Sequence, residues 1–493
     1  MSALNLVPLP VSVDLLGTPP FALDDKVVIV ADPAATEVAE VAAKVLSQTT
    51  GLTLPVASTS EGGDNAREIR LVLPPQGAVD EGALDMSDEA YRLEVTSDLV
   101  TLSATTPRGL NWALATLRQM VTPGEDGGWV IPAVLVEDVP RFPWRGLSMD
   151  VVRSFYTVDE VKTVVDLLAT YKMNTLHLHL TDDQGWRLEI PGREALTEIS
   201  GVTAGAGGDP GFYTVEDFAD IQHYAAARGV TVIPEFDLPG HTNAATHVYG
   251  ELTPSGEPTP AYDGAKVGFS KLYPDLPATE PFLRDVINSM AEQTVGPYIH
   301  IGGDEALEMD LGNYNELVTM AEKIARETGK RPVAWQEAAG AGLPGNMIYQ
   351  FWDPRLTRED MAKAVSEGGQ LLLSPANHVY FDMQYDADTP HGQDWSGYVE
   401  LRDSYEWDPV TQVEGVPEED VVGVEATVWT EYIHGFDAMT YMLLPRLAAA
   451  AEVGWSARGA LEWESFAGRI APESAWWNAM GVNWHRSPGV AWK

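Results

Sequence analysis

Eight short apolar runs between residues 145 and 429, most of them followed by a polar turn and a stretch with helical periodicity, restrict this chain to very few architectures. They are RGLSMDVV (145–152), NTLHLHL (174–180), VTVIPEF (230–236), PYIHIGG (297–303), RPVAWQE (331–337), NMIYQFW (346–352), QLLLSPA (370–376) and VGVEATVW (422–429). The intervening helices carry their own boundary signals. In TVDEVKTVVDLLATYKM, Thr157 can cap and Glu160 stands three residues on, and TVEDFADIQHYAAARG ends at Gly229. Eight strand–helix units over about 350 residues predict a TIM barrel, whose chemistry gathers at the C-terminal ends of its strands.

The 493 residues exceed what one barrel needs, so a second unit is expected. Residues 1–138 read as a small α/β (α+β) domain, with the strand KVVIVA, an alanine-rich helix near 34–48, the strand-forming tracts EIRLVL and YRLEVTSDLVTLSA, and the helix RGLNWALATLRQMV. The Gly- and Pro-rich segment TPGEDGGWVIPAVLVEDVPRFPWRG suits a boundary, and the catalytic barrel is expected over 139–493.

Composition narrows the partners. With 73 acidic against 31 basic residues the formal net charge is −42, which argues against nucleic acid and anionic membrane surfaces. Cysteine is absent, so disulfides and thiolate metal sites are excluded. The N-terminal stretch has no basic residue before Lys26 and is broken by Pro8 and Pro10, so it does not read as a signal peptide; a cytoplasmic protein is expected, and a leader removed earlier is equally compatible. No uncharged apolar run approaches the roughly 20 residues of a membrane span. Oligomeric state is left open.

The residues just after each run are polar or aromatic: Asp150 and Arg153, Asp182 and Asp183, Asp237 and His241, Asp304 and Glu305, Trp335, Trp352, Tyr380 and Asp382, then Trp429 and Glu431. Carboxylates, an arginine and indoles converging on one rim describe a carbohydrate pocket, because sugars take bidentate polar contacts at hydroxyls and aromatic faces against C–H surfaces. Each signal also has a bland reading. The Asp-Glu pair recurs at Asp80, Asp88 and Asp159 as solvated surface or helix start, and only its place after YIHIGG singles out Asp304 and Glu305. His177 and His179 share a strand face and can be metal ligands, but no third histidine with matching spacing stands at a neighbouring strand end, so a hydrogen-bonded barrel interior is the expectation.

HIGGDEA, HLTDDQGWRLEI, EFDLPGHTNA and DVVRSF resemble the signature blocks of the β-N-acetylhexosaminidases of glycoside hydrolase family twenty, and SPANHVYFDMQY and GVEATVWTE extend the similarity over roughly residues 140–490. The first unit resembles the small domain that precedes the barrel in that family. The resemblance implies exo-acting, retaining hydrolysis of a terminal β-linked N-acetylhexosamine, in which the 2-acetamido carbonyl of the substrate is the nucleophile and an oxazolinium forms. It implies Glu305 as general acid and then base, Asp304 as acceptor of the acetamido N–H, and Tyr380 as donor to the acetamido oxygen. Trp335, Trp352 and Trp429 would enclose the sugar, Arg153 would hold the 3- and 4-hydroxyls, Asp382 and Glu431 the 4- and 6-hydroxyls, and Asp182 and His241 would support Glu305. Small-molecule or oligosaccharide substrates are implied, and neither a cofactor nor a metal. One departure is Ser154, where the family usually has histidine, which bears on the support of Arg153. Three other readings compete. A disaccharide-releasing, lacto-N-biosidase-like enzyme would displace Asp382 and Glu431, a non-catalytic sugar-binding barrel would lose Glu305, and a metal-dependent amidohydrolase rests on His177 and His179 alone.

Overall fold

The computed structural model describes residues 4–58, 67–73 and 86–492; Asp80 lies outside them. Eight parallel strands close into a barrel in sequence order: β1 (Trp144–Asp150), β2 (Thr175–His179), β3 (Thr231–Leu238), β4 (Tyr298–Gly302), β5 (Arg331–Trp335), β6 (Ile348–Phe351), β7 (Gln370–Leu373) and β8 (Val421–Val428). Closure runs through β1 and β8, with Gly146 opposite Glu425. Both faces of every strand are buried, the outer one under helices. In β2, Leu176 and Leu178 join the large apolar cluster between barrel and helices, which leaves His177 and His179 on the inner face.

The barrel interior is layered. Trp144, Ile233, Tyr298, Val333, Ile348, Leu372 and Val422 form an apolar plug near the N-terminal strand ends. Above it lies a polar layer of His177, His179, Glu235, His300 and Glu425, all buried. The pocket opens above that layer. The expected helix starts hold where their caps are strong, while the second helix ends at Ala226, before Gly229. Val158–Thr170 and Val215–Ala226 both start on capping boxes, at Thr157 with Glu160 and at Thr214 with Asp217.

The N-terminal unit is a seven-stranded mixed sheet in the order Ser12–Leu15, Val134–Asp138, Tyr91–Val95, Leu99–Ala104, Glu68–Val72, Val28–Ala31, Val56–Ser58. The tract 91–104 divides into two antiparallel strands turned at Thr96, whose amide donates to Leu99 O at 2.9 Å. Helix Pro107–Met120 is buried along nearly its whole length because it packs against the sheet on one side and the barrel on the other. One expectation fails here. Glu89, in the Asp-Glu pair at residue 88, is not solvated but fully buried, where it accepts from Trp112 Nε1 at 2.7 Å, from Asn174 Nδ2 at 2.8 Å and from Arg145. Asp138 does the same with Lys172 Nζ and Tyr91 OH, both at 2.8 Å. These pairs fasten the small unit to the barrel end opposite the pocket.

Among the described residues no helix is long and apolar enough to cross a membrane.

Candidate active site

Strand β4 ends because Gly302 and Gly303 turn through φ +66° and +113°, conformations open to glycine and disfavoured with a side chain. A Cβ on Gly302 would stand 1.7 Å from Asp237 Oδ1, so β3 and β4 approach this closely only without one. Asp237 uses the approach, accepting the Gly303 amide at 3.1 Å. Tyr314 clamps the turn from the other side by donating to Gly303 O at 2.5 Å. The turn delivers Asp304 and Glu305 to the rim. Glu305 has φ +46° and His241, facing it, φ +52°; such backbone costs about 1–3 kcal/mol per residue and persists where the surroundings over-determine it.

His241 joins the acid pair to the rest of the site. Its Nε2 lies 3.4 Å from Glu305 Oε2 and 3.7 Å from Asp304 Oδ2, and its Nδ1 lies 3.0 Å from Asp182 Oδ1. Asp182 in turn is 2.6 Å from Arg153 Nη2 and 2.8 Å from His179 Nε2. Charge follows this chain. Burial works to raise the Asp182 carboxyl, but the charges of Arg153 and then His241 hold it well below the usual range. Burial works to lower His241, yet Asp182 and then Asp304 raise it well above an ordinary imidazole. Burial, then the Asp237 charge, pushes Asp304 well above the usual carboxylate range, and burial raises Asp237 itself to about 7. Asp304 Oδ1 is buried with no hydrogen-bond partner among the described residues.

Arg153 also donates from Nε to Gln184 Oε1 at 3.0 Å and from Nη1 to Asp150 Oδ2 at 3.3 Å, with Glu431 Oε1 3.6 Å away. Its support comes from these groups; Ser154 instead binds Thr430 through its amide at 3.0 Å. Across the pocket, Tyr380 and Trp352 lie nearly parallel with centroids 6.2 Å apart, and Trp395 meets both edge-on at 5.8 and 6.0 Å. Trp429 stands 6.5 Å from Tyr380.

The open cavity measures about 260 Å³, below the roughly 300–1,000 Å³ of drug-sized ligand pockets, which suits one sugar ring. Nine of the sequence-predicted residues border it: Arg153, Asp182, His241, Asp304, Glu305, Trp352, Tyr380, Trp429 and Glu431. Trp335 and Asp382 do not. Trp335 is 1% exposed behind Trp429, at 5.9 Å, with its Nε1 donating to Glu235 Oε1 at 2.7 Å. Asp382 is fully buried. Burial, then the Glu431 charge, pushes it well above the usual range.

Sequence reasoning gave no role to Asp237 and missed Arg355, Gln393 and Trp395. The last two lie about 20 residues beyond β7, out of reach of a search at strand ends. The available signal was the length of the β7–β8 connection, since long connections within compact domains are commonly functional. It also missed Glu337, whose Oε2 accepts from Trp352 Nε1 at 3.0 Å and whose carboxyl is raised to about 8 by burial and then by Asp304.

The expected hydrogen-bonded interior for His177 and His179 is found, through Glu425 and Glu235. A further histidine joins them from two strands away: His300 of β4 stacks on His177 with centroids 4.5 Å apart. Glu235 sits among His179 Nδ1 at 2.5 Å, His300 Nδ1 at 3.0 Å and His177 Nε2 at 3.2 Å. Burial opposes protonation of His177, but Glu235 and Glu425 raise it to about 9. The imidazoles of β2 are thus ion-paired interior groups.

The sequence profile of glycosyl hydrolase family 20, catalytic domain, matches residues 142–458, and that of glycosyl hydrolase family 20, domain 2, matches residues 3–139. A β-N-acetylhexosaminidase of Cellulomonas fimi is 46% identical over 494 residues, covering 100% of this chain and 98% of that protein. A β-hexosaminidase of Vibrio furnissii is 33% identical over 78% of this chain and 67% of its own length. Among solved structures, the Streptomyces plicatus N-acetyl-β-hexosaminidase in complex with Thio-NAglucal superposes with TM-score 0.93 at 39% identity, over 99% of this chain and 98% of that one. A β-N-acetylhexosaminidase of Streptomyces coelicolor gives 0.92 at 39% identity, over 100% and 99%. Profile matches, full-length identity and a shared fold agree, and the chain belongs to glycosyl hydrolase family 20, the exo-acting, retaining β-N-acetylhexosaminidases that use the acetamido group of the substrate as nucleophile.

Proposed function

We propose that in this enzyme Glu305 protonates the departing glycosidic oxygen and then activates water, while Asp304 accepts the acetamido N–H and balances the positive charge of the forming oxazolinium. Tyr380 donates to the acetamido oxygen and aligns it with the anomeric carbon. Trp352 and Trp429 enclose the ring and the acetamido methyl, with Trp335 backing Trp429. Arg153 and Glu431 take the hydroxyls of the far edge, and Asp182 and His241 position the acid pair. The single observation behind this reading is His241, whose one nitrogen faces both Asp304 and Glu305 while the other is tied to the Arg153–Asp182 pair. The same reading divides the chain into a small domain over 1–138 and a catalytic barrel over 139–493. A far edge occupied by Arg153, Gln393 and Glu431 favours release of one sugar over release of a disaccharide.

The decisive measurement compares leaving groups. Glu305→Gln should lower turnover of oligosaccharides by roughly 10²–10⁴-fold, the usual share of general acid catalysis, and should cost far less on an activated aryl glycoside that departs without a proton. Equal losses on both, with thermal melting retained, would remove Glu305 from the acid step.

A further inference from the structure

The cavity is bordered by five carboxylates, from Asp182, Asp237, Asp304, Glu305 and Glu431, and by two arginines. Arg153 is committed: it is 2% exposed and bound to Asp182, Asp150 and Gln184. Arg355, on the connection that follows β6, differs in its exposure. Its side chain is 60% exposed at the cavity mouth, yet its direction is fixed. Asp353, 4% exposed, takes Nε and Nη2, both at 2.8 Å. Gln336 holds the same turn by accepting the amides of Trp352 and Asp353 at 2.9 and 2.8 Å. The guanidinium carbon lies over the Trp395 ring, 4.6 Å from its centroid, at the aromatic rim. Nη1 has no partner among the described residues.

We propose that Arg355 forms an aglycone subsite for an anion, so that the enzyme prefers β-N-acetylhexosaminides whose neighbouring residue carries a carboxylate or sulfate over their neutral counterparts. This inference rests on the residue assignment above, because Glu305 marks the leaving-group side. An exo pocket filled by the terminal ring leaves the aglycone at the mouth, and there Arg355 is the accessible cation among the bordering residues. Glu305 is close enough to act on its charge: the guanidinium is held above its ordinary value first by Asp353 and further by Glu305. A planar fork placed over an indole, with one edge on Asp353, keeps another edge for a second bidentate anion, a geometry that arginine supplies and lysine does not. The net charge of −42 repels anions at long range, but screening confines that field to about 8 Å at physiological ionic strength, where contact geometry decides. A sulfate on the terminal ring itself would meet Glu431 and gain nothing.

The test measures kcat/KM at physiological ionic strength for N-acetylglucosaminyl-β-glucuronate, N-acetylglucosaminyl-β-glucose and the latter sulfated on its glucose, with wild type, Arg355→Gln and Arg355→Lys. Wild type should prefer either anionic substrate by about tenfold, the worth of one charge-assisted contact. Arg355→Gln should abolish the preference, mainly through KM, and Arg355→Lys should restore only part of it. Preference for the uronate alone, or the sulfate alone, supports the subsite and names its anion. No preference in wild type, or an equal preference in wild type and Arg355→Gln, overturns it. The leaving-group signature of Glu305→Gln is read separately, so failure of the subsite is distinguishable from failure of the site assignment.

Discussion

Asp304 and Glu305 are neighbours with the same functional group, yet their side chains are 10% and 27% exposed and face different surroundings. Asp304 points into the protein toward Asp237 and His241, and burial raises its carboxyl. That has a kinetic consequence, because the proposed acceptor role needs Asp304 ionised. The ionised form is populated only above the raised pKa, so activity is lost as pH falls through it. The acid limb of kcat/KM, which reports free-enzyme groups, should therefore lie well above the value near 3.9 of an ordinary aspartate. Asp304→Asn should lose on the order of a hundredfold in turnover, and its residual activity should lack that limb. A limb unmoved in the variant would assign the titration to another group, with Asp237 the first candidate.

At the scale of elements, the end of β4 sets the geometry of the acid pair. Gly302 combines a left-handed backbone with a contact that a methyl group cannot share, 1.7 Å from Asp237 Oδ1. Gly302→Ala must displace either Asp237 or the turn that carries Asp304 and Glu305. Since a misplacement of about 1 Å can cost 10²-fold, kcat/KM should fall by roughly that factor, accompanied by a lower melting temperature. Gly303→Ala is the comparison: its Cβ would find its nearest neighbour at 3.4 Å, so it carries backbone strain without the clash and should be the milder change. Equal kinetics for the two variants would show that the Asp237 contact is not what matters.

For the whole molecule, the buried ion pairs that join the small unit to the barrel and the pocket at the strand ends lie at opposite ends of the barrel, where enzymes of this architecture separate stability from chemistry. Glu89 of the small domain is buried against Arg145 and Asn174 at the start of β1 and β2, far from the strand ends that carry the pocket. Glu89→Ala leaves the Arg145 guanidinium, 1% exposed, without its carboxylate. Breaking one half of a buried ion pair costs about 3–5 kcal/mol, so chemical denaturation should begin at clearly lower denaturant. The protein that remains folded should retain kcat/KM within about twofold. A parallel loss of activity would mean that the small domain shapes the pocket through the polar layer of the barrel.

Much of this architecture was legible in the linear order of residues. Local patterns carry local structure, so the eight runs became the eight strands and the Thr157–Glu160 pair became a capping box. Position after a strand likewise placed Arg153, Asp182, His241, Asp304, Glu305, Trp352, Tyr380, Trp429 and Glu431 at one cavity, because a closed barrel brings all its C-terminal strand ends to one rim. What sequence spacing does not contain is which groups meet across that rim. His300 stacks on His177 from two strands away, and Trp395 and Arg355 meet from different connections. Charge state belongs to the same class. Asp182 is held down and Asp304 pushed up by burial and by partners distant in the chain, so chemically identical side chains took opposite characters only once the barrel closed.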